Sequence, residues 1–256
     1  MSSGKLRGCG KSVDQTRRPS HRTHITNMTI YTRQLPHLIL LTALIAGVFF
    51  VLDDNMLAGR FLGLSSAAWL GLAIITPILH QVYVWLAWRS ELTSQRITRR
   101  FGKDGFFYYA AGFTVFLIAR LLTIIALAYS NRGTLALNPV PAYTLAVALL
   151  IPALYLFYSV RKHFGFKRAY GIDHFDDSYR QLPFVRQGIF RLTGNAMYVF
   201  GFFVLWTPGL FFLSQAALLA AAFNHLYIWV HYYCTELPDI RYIYGKEYGK
   251  EYGKDL

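Results

Sequence analysis

Residues 192–235 read LTGNAMYVFGFFVLWTPGLFFLSQAALLAAAFNHLYIWVHYYCT, a run of 44 residues without one Asp, Glu, Lys or Arg. As a single helix it would reach about 66 Å at about 1.5 Å per residue, roughly twice the hydrocarbon thickness of a bilayer. It must therefore fold back. Thr207-Pro208-Gly209 is the strong breaker inside it, because proline removes a backbone donor and glycine permits a turn. A helical hairpin is expected, with a first arm of 16 residues and a second of 26.

Upstream, residues 61–88 and 133–160 also lack every charged residue, and apolar segments run over about 35–52, 61–88, 105–130 and 139–160. Only 15% of the 256 residues are charged and 54% are hydrophobic, whereas a soluble domain carries about 25% charged residues. A lipid-facing surface accounts for the deficit. The expected fold is all-α, a polytopic transmembrane bundle of about six segments, the last two forming the hairpin.

The loop at 89–104 holds Arg89, Arg96, Arg99, Arg100 and Lys103, and the loop at 161–191 holds seven more basic residues, while the intervening loops hold only Arg60 and Arg132. Lys and Arg accumulate on the cytoplasmic side, so both basic loops and both termini are expected there. The membrane would be the inner or plasma membrane in a bacterium and the endoplasmic reticulum in a eukaryote. The net charge of +13 is spread over separate loops instead of one patch, so topology and lipid headgroups explain it better than nucleic acid.

Residues 1–34 carry seven Lys/Arg against Asp14 alone and are expected to be a disordered basic arm, with a targeting leader or a natural start at Met28 as alternatives. The Asn-Met-Thr at Asn27 is read as a chance match to a glycosylation pattern. Cys9 and Cys234 form no metal or redox spacing, so neither a disulfide nor a metal site is expected.

Two segments flank the chemistry. Before the hairpin stands Gly188-Ile-Phe-Arg-Leu-Thr-Gly-Asn-Ala-Met-Tyr-Val-Phe-Gly201, and after it Glu236-Leu-Pro-Asp-Ile-Arg-Tyr-Ile-Tyr-Gly-Lys-Glu-Tyr248. Together they resemble the superfamily of phospholipid methyltransferases and isoprenylcysteine carboxyl methyltransferases. That family carries a Gly-x-Tyr/Phe-Arg approach, then Arg-His-Pro-x-Tyr or Asn-Pro-Met-Tyr, a helical hairpin, a Glu-Glu pair and a Phe-Gly-x-x-Tyr-x-x-Tyr tail. The counterparts are Gly188, Phe190 and Arg191, then Asn195-Ala196-Met197-Tyr198, then Glu236 and Pro238, then Tyr244-Gly245 and Tyr248. The Asn-x-Met-Tyr version is closer to phosphatidylethanolamine N-methyltransferases. Ala196 stands where the family usually has Pro, Leu237 replaces the second Glu, and no Gly-x-Gly element is evident, Gly165 and Gly171 being too far apart.

The resemblance implies a catalytic region over residues 161–256, behind four transmembrane segments at 35–160, and S-adenosylmethionine as cofactor. It implies a lipid or amphiphile as methyl acceptor, most closely a phosphatidylethanolamine-type headgroup. Carboxyl or thiol methylation, including that of isoprenylcysteine, is the alternative within the scaffold. An NADPH-dependent sterol-type reductase and a non-enzymatic membrane protein are the alternatives outside it. The expected cofactor shell comprises Gly188, Arg191, Asn195, Tyr198, Glu236 and Tyr248 on the resemblance, with Gly194, Gly201, Trp229 and Tyr232 added from the helix faces that follow.

At about 100° per residue His225, Trp229, Tyr232 and Glu236 fall on one helix face. Ionisable groups in a span usually face a cavity or a partner, and aromatic faces attract cations such as a sulfonium; Glu236 and His225 are thus candidate bases. Equally, Trp229 and Tyr232 suit interfacial anchors and His225 a packing residue. Gly194, Tyr198 and Gly201 recur at spacings of four and three, a face where the hairpin arms can approach closely.

Arg120, a lone charge midway through 105–130, suits either a lipid phosphate or helix pairing. His80, beside Pro77, is expected to be structural. The loop Tyr170-Gly-Ile-Asp-His-Phe-Asp-Asp-Ser-Tyr179 is expected to be solvated, the alternative being that it closes over the pocket or supplies a base. Of the three Tyr-Gly-Lys-acid repeats at the C-terminus, the first coincides with the family tail.

Overall fold

The computed structural model describes residues 28–245. The arm before Met28, with Cys9 and Asn27, and the tail after Gly245, with Tyr248 and most of the repeats, lie outside the described residues. Helices α1 (Gln34–Val51), α2 (Ser66–Ser94), α3 (Gly105–Ser130) and α4 (Pro139–Ser159) come first. The hairpin arms α5 (Phe203–Phe211) and α6 (Gln215–His231) follow, then α7 (Leu237–Tyr244). Among the described residues four helices are long and apolar enough to cross a membrane, Gln34–Val51, Ser66–Ser94, Arg96–Ser130 and Pro139–Phe164, the last two counted with their short helical extensions. The all-α membrane bundle expected from hydropathy is the fold observed.

Two boundaries differ from expectation. The second segment begins at Ser66, because residues 60–65 form a two-residue β pair, Arg60–Phe61 against Leu64–Ser65. Leu62 and Gly63 both have positive φ there, as a tight primed turn requires. Ser65 then caps the helix by accepting from the Ala68 amide. The hairpin turns at Phe212–Ser214, not at Thr207-Pro208-Gly209. Pro208 lies inside α5, and the Thr207 hydroxyl donates to the Val204 carbonyl at 2.9 Å, the acceptor that the missing proline amide would have served. Leu213 takes the left-handed conformation and Ser214 caps α6. Gly209 lets the arms approach: a Cβ there would sit 2.7 Å from Leu218 Cδ2.

The centre is built on the alanine face of α6. Ala216, Ala217, Ala220 and Ala221 are fully buried and pack with Leu70, Ala73, Ile124, Leu127 and Leu205 from α2, α3 and α5. Outward, Phe49, Phe50, Phe107, Val115 and Ile151 are exposed, an apolar surface suited to lipid.

Pro77 also breaks the backbone ladder of α2. The carbonyl it leaves free, Ala73, accepts from Asn224 Nδ2 at 3.2 Å, and Asn224 Oδ1 accepts from Arg120 Nε at 3.0 Å. Arg120 thereby joins α3 to α6 and, through Asn224, to α2. Its guanidinium lies 5.0 Å from the Phe202 ring centroid and 3.5 Å from His80 Nδ1.

Loops gather at two ends of the bundle. At one, Asn131 Nδ2 donates to the Asn55 and Ala58 carbonyls and its Oδ1 accepts from Ser214. At the other, the segment before α1, the end of α2, the 165–196 connection and the α6–α7 junction meet around Arg89. This guanidinium donates to the Thr29, Thr32 and Thr235 carbonyls and pairs with Asp239, both side chains fully buried. The loops expected on one side of the membrane are thus on one side of the bundle.

Candidate active site

Three π turns surround the basic end: Val160–Phe164 after α4, Met197–Gly201 before α5 and Tyr232–Glu236 between α6 and α7. A π turn closes i→i+5 bonds and often marks a functional site, since it turns side chains off the regular helical face. Between them opens a cleft. Its walls are Phe164, Arg168, Ala169, Gly171, Asp173, His174 and Phe184 from the 160–187 connection. Gly194, Asn195, Met197 and Tyr198 line it from before α5, Tyr232, Glu236, Ile240 and Tyr244 from beyond α6, and Trp88 from α2.

Glu236 sits past the end of α6. The Tyr198 hydroxyl donates to its Oε2. Burial drives the Glu236 carboxyl up to about 7, against the lowering effect of the Tyr198 hydrogen bond and the His174 charge. It is therefore poised between its two protonation states near neutral pH, the range in which a general base is most effective.

Opposite lies a second polar group. His174 Nδ1 is 3.2 Å from Asp173 Oδ1 and its Nε2 is 3.5 Å from Asp239 Oδ2. The imidazole stacks on Trp88 with ring centroids 4.1 Å apart. Burial alone would lower its pKa, but hydrogen bonds and charge from the two aspartates raise it to about 9. Burial alone would raise Asp173, but His174 and the Tyr244 hydroxyl, which donates to Oδ2 at 2.9 Å, hold it below the ordinary carboxylate value. The cleft thus presents an ionised aspartate and a glutamate poised near neutrality.

Close approach fixes the floor. Gly171 has φ +79°, and a Cβ there would meet the Trp88 ring at 2.5 Å, so the loop can lie on the indole only with glycine at that position.

All of these lining residues except Trp88 fall within one matched segment. Residues 141–247 match the family model for phospholipid methyltransferase. The resemblance carried by the Asn195–Tyr198 and Glu236–Tyr248 motifs is borne out, the match ending one residue before Tyr248, and the chain is a membrane protein with a phospholipid methyltransferase-family segment. No curated protein and no solved structure matches it.

The methyltransferase-family segment brings Gly194, Asn195, Tyr198, Tyr232 and Glu236 together in the cleft. Other residues assigned from sequence lie elsewhere. Trp229 stands behind the lining, its ring 5.8 Å from both Tyr198 and Tyr232. His225 accepts from Trp206 Nε1 at 3.1 Å and stacks on Phe202. It is 11 residues before Glu236, about 16 Å along the helix. The uniform 100° spacing that put His225, Trp229, Tyr232 and Glu236 on one face does not hold through the π turn.

Gly188 and Gly201 pack on α4, where a Cβ would meet Ser159 Oγ at 2.6 Å and Leu156 Cδ2 at 2.9 Å respectively. On the face of Gly194, Tyr198 and Gly201, Gly201 thus packs on α4, while Tyr198 meets the second arm through Trp229 and Tyr232; Gly209 allows the close approach nearer the turn. Arg191 is exposed and does not line the cleft. Arg120, bonded to Asn224 12 residues before Glu236, lies about 18 Å deeper along the helix.

Sequence reasoning passed over Trp88, Phe164, Arg168, Phe184 and Asp239. A signal existed for Asp239, three residues beyond Glu236, and for Arg89, the first charge after the charge-free stretch 61–88. The loop 170–179 divides between its two expectations: His174 is buried and lines the cleft beside Asp173, whereas Asp176 and Asp177 are exposed.

Proposed function

We propose that the protein is an S-adenosylmethionine-dependent N-methyltransferase whose acceptor is the amine of a phosphatidylethanolamine-type headgroup. The observation that supports this best is the cleft itself. It is built almost wholly from the methyltransferase-family segment and sets two carboxylates, Asp173 and Glu236, among aromatic faces at the basic end of a membrane bundle. That end would face the cytoplasm by the distribution of Lys and Arg.

The lining suits the cofactor chemically. Tyr198, Tyr232 and Phe164 offer aromatic surface for an adenine ring and for a sulfonium. Asn195 offers an amide for a carboxylate or amino group, and Glu236 an acceptor for ribose hydroxyls. When bound, the cofactor supplies a methyl group on a positively charged sulfur, and that charge disappears as the methyl leaves.

The chain's own residues then have two tasks. One is alignment and exclusion of water, which sets the acceptor nitrogen in line with the methyl carbon. The other concerns a proton, because an ammonium has no lone pair and must lose a proton before the nitrogen–carbon bond can form. Glu236 is placed to take it. A carboxylate acceptor such as that of isoprenylcysteine has no proton to give up, so a carboxyl poised to act as base favours the amine.

The test is incubation of the purified protein in native lipid with methyl-labelled cofactor, followed by fractionation. Label in the aminophospholipid fraction is expected. Label only in a prenyl or protein fraction, or none with folded protein, would overturn the reading.

A further inference from the structure

Arg168 is the one arginine in the lining of the cleft, and its charge is not neutralised by any acid among the described residues. Arg89 pairs with Asp239 and Arg180 with Asp177, while the His174 imidazole is held between Asp173 and Asp239. Arg168 is nevertheless held in place. Its guanidinium lies 5.2 Å from the Phe164 ring centroid, and Nη1 donates to the Pro183 carbonyl at 3.1 Å. Stacking and a carbonyl bond orient the planar fork while leaving most of its five donors and its full charge available.

The Tyr244 hydroxyl donates to Asp173 Oδ2 at 2.9 Å, and the Arg168 charge acts on that same phenol. A positive group and a negative group in the lining of one cleft are complementary to a ligand that carries both a phosphate and an ammonium. Arg120 cannot play this part for a nitrogen at Glu236, because it lies about 18 Å deeper.

We infer that Arg168 is a specificity residue for the acceptor, its guanidinium binding the phosphodiester of the headgroup while Asp173 and Glu236 face the amine. This rests on the amine-lipid reading above and assigns its phosphate subsite. Phosphate on an Arg fork is a charge-assisted and often bidentate contact, so its loss should weaken acceptor binding without disturbing the cofactor.

The experiment uses the full chain in nanodiscs of phosphatidylcholine doped with increasing phosphatidylethanolamine, comparing wild type, Arg168→Gln, Arg168→Lys and, as an exposed control outside the cleft, Arg241→Gln. Arg168→Gln should raise the acceptor KM by about tenfold or more, with kcat and S-adenosylhomocysteine affinity within about twofold. Arg168→Lys should recover part of the loss and Arg241→Gln should match wild type. An unchanged acceptor KM in Arg168→Gln, or an equal loss in Arg241→Gln, overturns the assignment.

Soluble acceptors separate the sources of phosphate. Wild type that prefers phosphoethanolamine to ethanolamine, with the preference lost in Arg168→Gln, shows that the phosphate itself is read. Preference confined to the nanodisc lipid and lost in the variant shows that the headgroup is read only in its membrane. If wild type methylates no amine, the function fails independently, and Arg168 is judged on binding. Line broadening of phosphoethanolamine phosphorus resonances by wild type and not by Arg168→Gln then supports the subsite; equal broadening overturns it.

Discussion

The Tyr198 hydroxyl donates a hydrogen bond to Glu236 Oε2 across 38 residues of sequence, tying the Asn195–Tyr198 motif to the far end of the hairpin. The bond favours the ionised carboxylate against the burial that raises it to about 7. Tyr198→Phe removes the favouring contact and keeps the ring, so Glu236 should titrate higher, by about one unit. If Glu236 accepts the proton, the acidic limb of the rate profile moves to higher pH by that amount, and turnover at pH 7 falls by roughly three- to tenfold. A pH–rate profile of the variant that superimposes on wild type would remove Glu236 from the titrating role.

Glu236→Gln separates two roles for the same carboxylate. The amide preserves shape and much of the hydrogen-bonding capacity but cannot take a proton at neutral pH. A base should lose turnover by about 10² or more with little change in cofactor affinity, whereas a group that only holds the ribose should lose mainly affinity. Leu237 is buried outside the lining, so no adjacent carboxylate stands in. Glu236→Ala is expected to abolish methylation while the protein remains folded by circular dichroism.

The bundle was legible because the bilayer demands long charge-free segments, and both basic loops identified one end of it. The hairpin turn was displaced by five residues because the Thr207 hydroxyl serves the carbonyl that Pro208 leaves free, a rescue that propensity does not report. In the cleft, Asn195, Tyr198, Tyr232 and Glu236 were readable from motif and spacing. His225 was not separable from them, since nothing in the sequence signals the π turn at Tyr232–Glu236. Trp88 and Arg89 reach the site through contacts such as Arg89 to Thr235, separated by 146 residues, which no local pattern encodes.

His174 gives the protein a pH signature of its own. Its folded pKa, about 9, lies above the unfolded value of 6.5, so the stability it contributes is fully present below about pH 6.5 and is lost as pH rises through 9. Asp173, depressed in the fold, contributes stability that is present above its ordinary value of 3.8 and lost as pH falls below it. Thermal unfolding in detergent should therefore show a decline between pH 7 and 10 that His174→Gln flattens. A variant whose alkaline decline matches wild type would place that loss in other groups.

Arg89 and Asp239 form a fully buried ion pair that joins the end of α2 to the start of α7, with the carbonyls of Thr29 and Thr32 on the same guanidinium. Removing one member of such a pair leaves the other charge buried and unpaired, which costs about 3–5 kcal/mol, whereas replacing both with apolar residues of similar volume is often close to neutral. Arg89→Met and Asp239→Leu should each lower stability by about that amount, and the double variant should recover a large part of it, a non-additivity expected only of groups in contact. The recovery should be incomplete, since the Thr29, Thr32 and Thr235 carbonyls lose their donor and His174 loses one of its aspartates. Denaturant unfolding of the four proteins in one detergent measures the coupling. Additive single effects would mean that the two charges are satisfied independently, and that the connection between α2 and the cleft runs through Trp88 stacked on His174 instead.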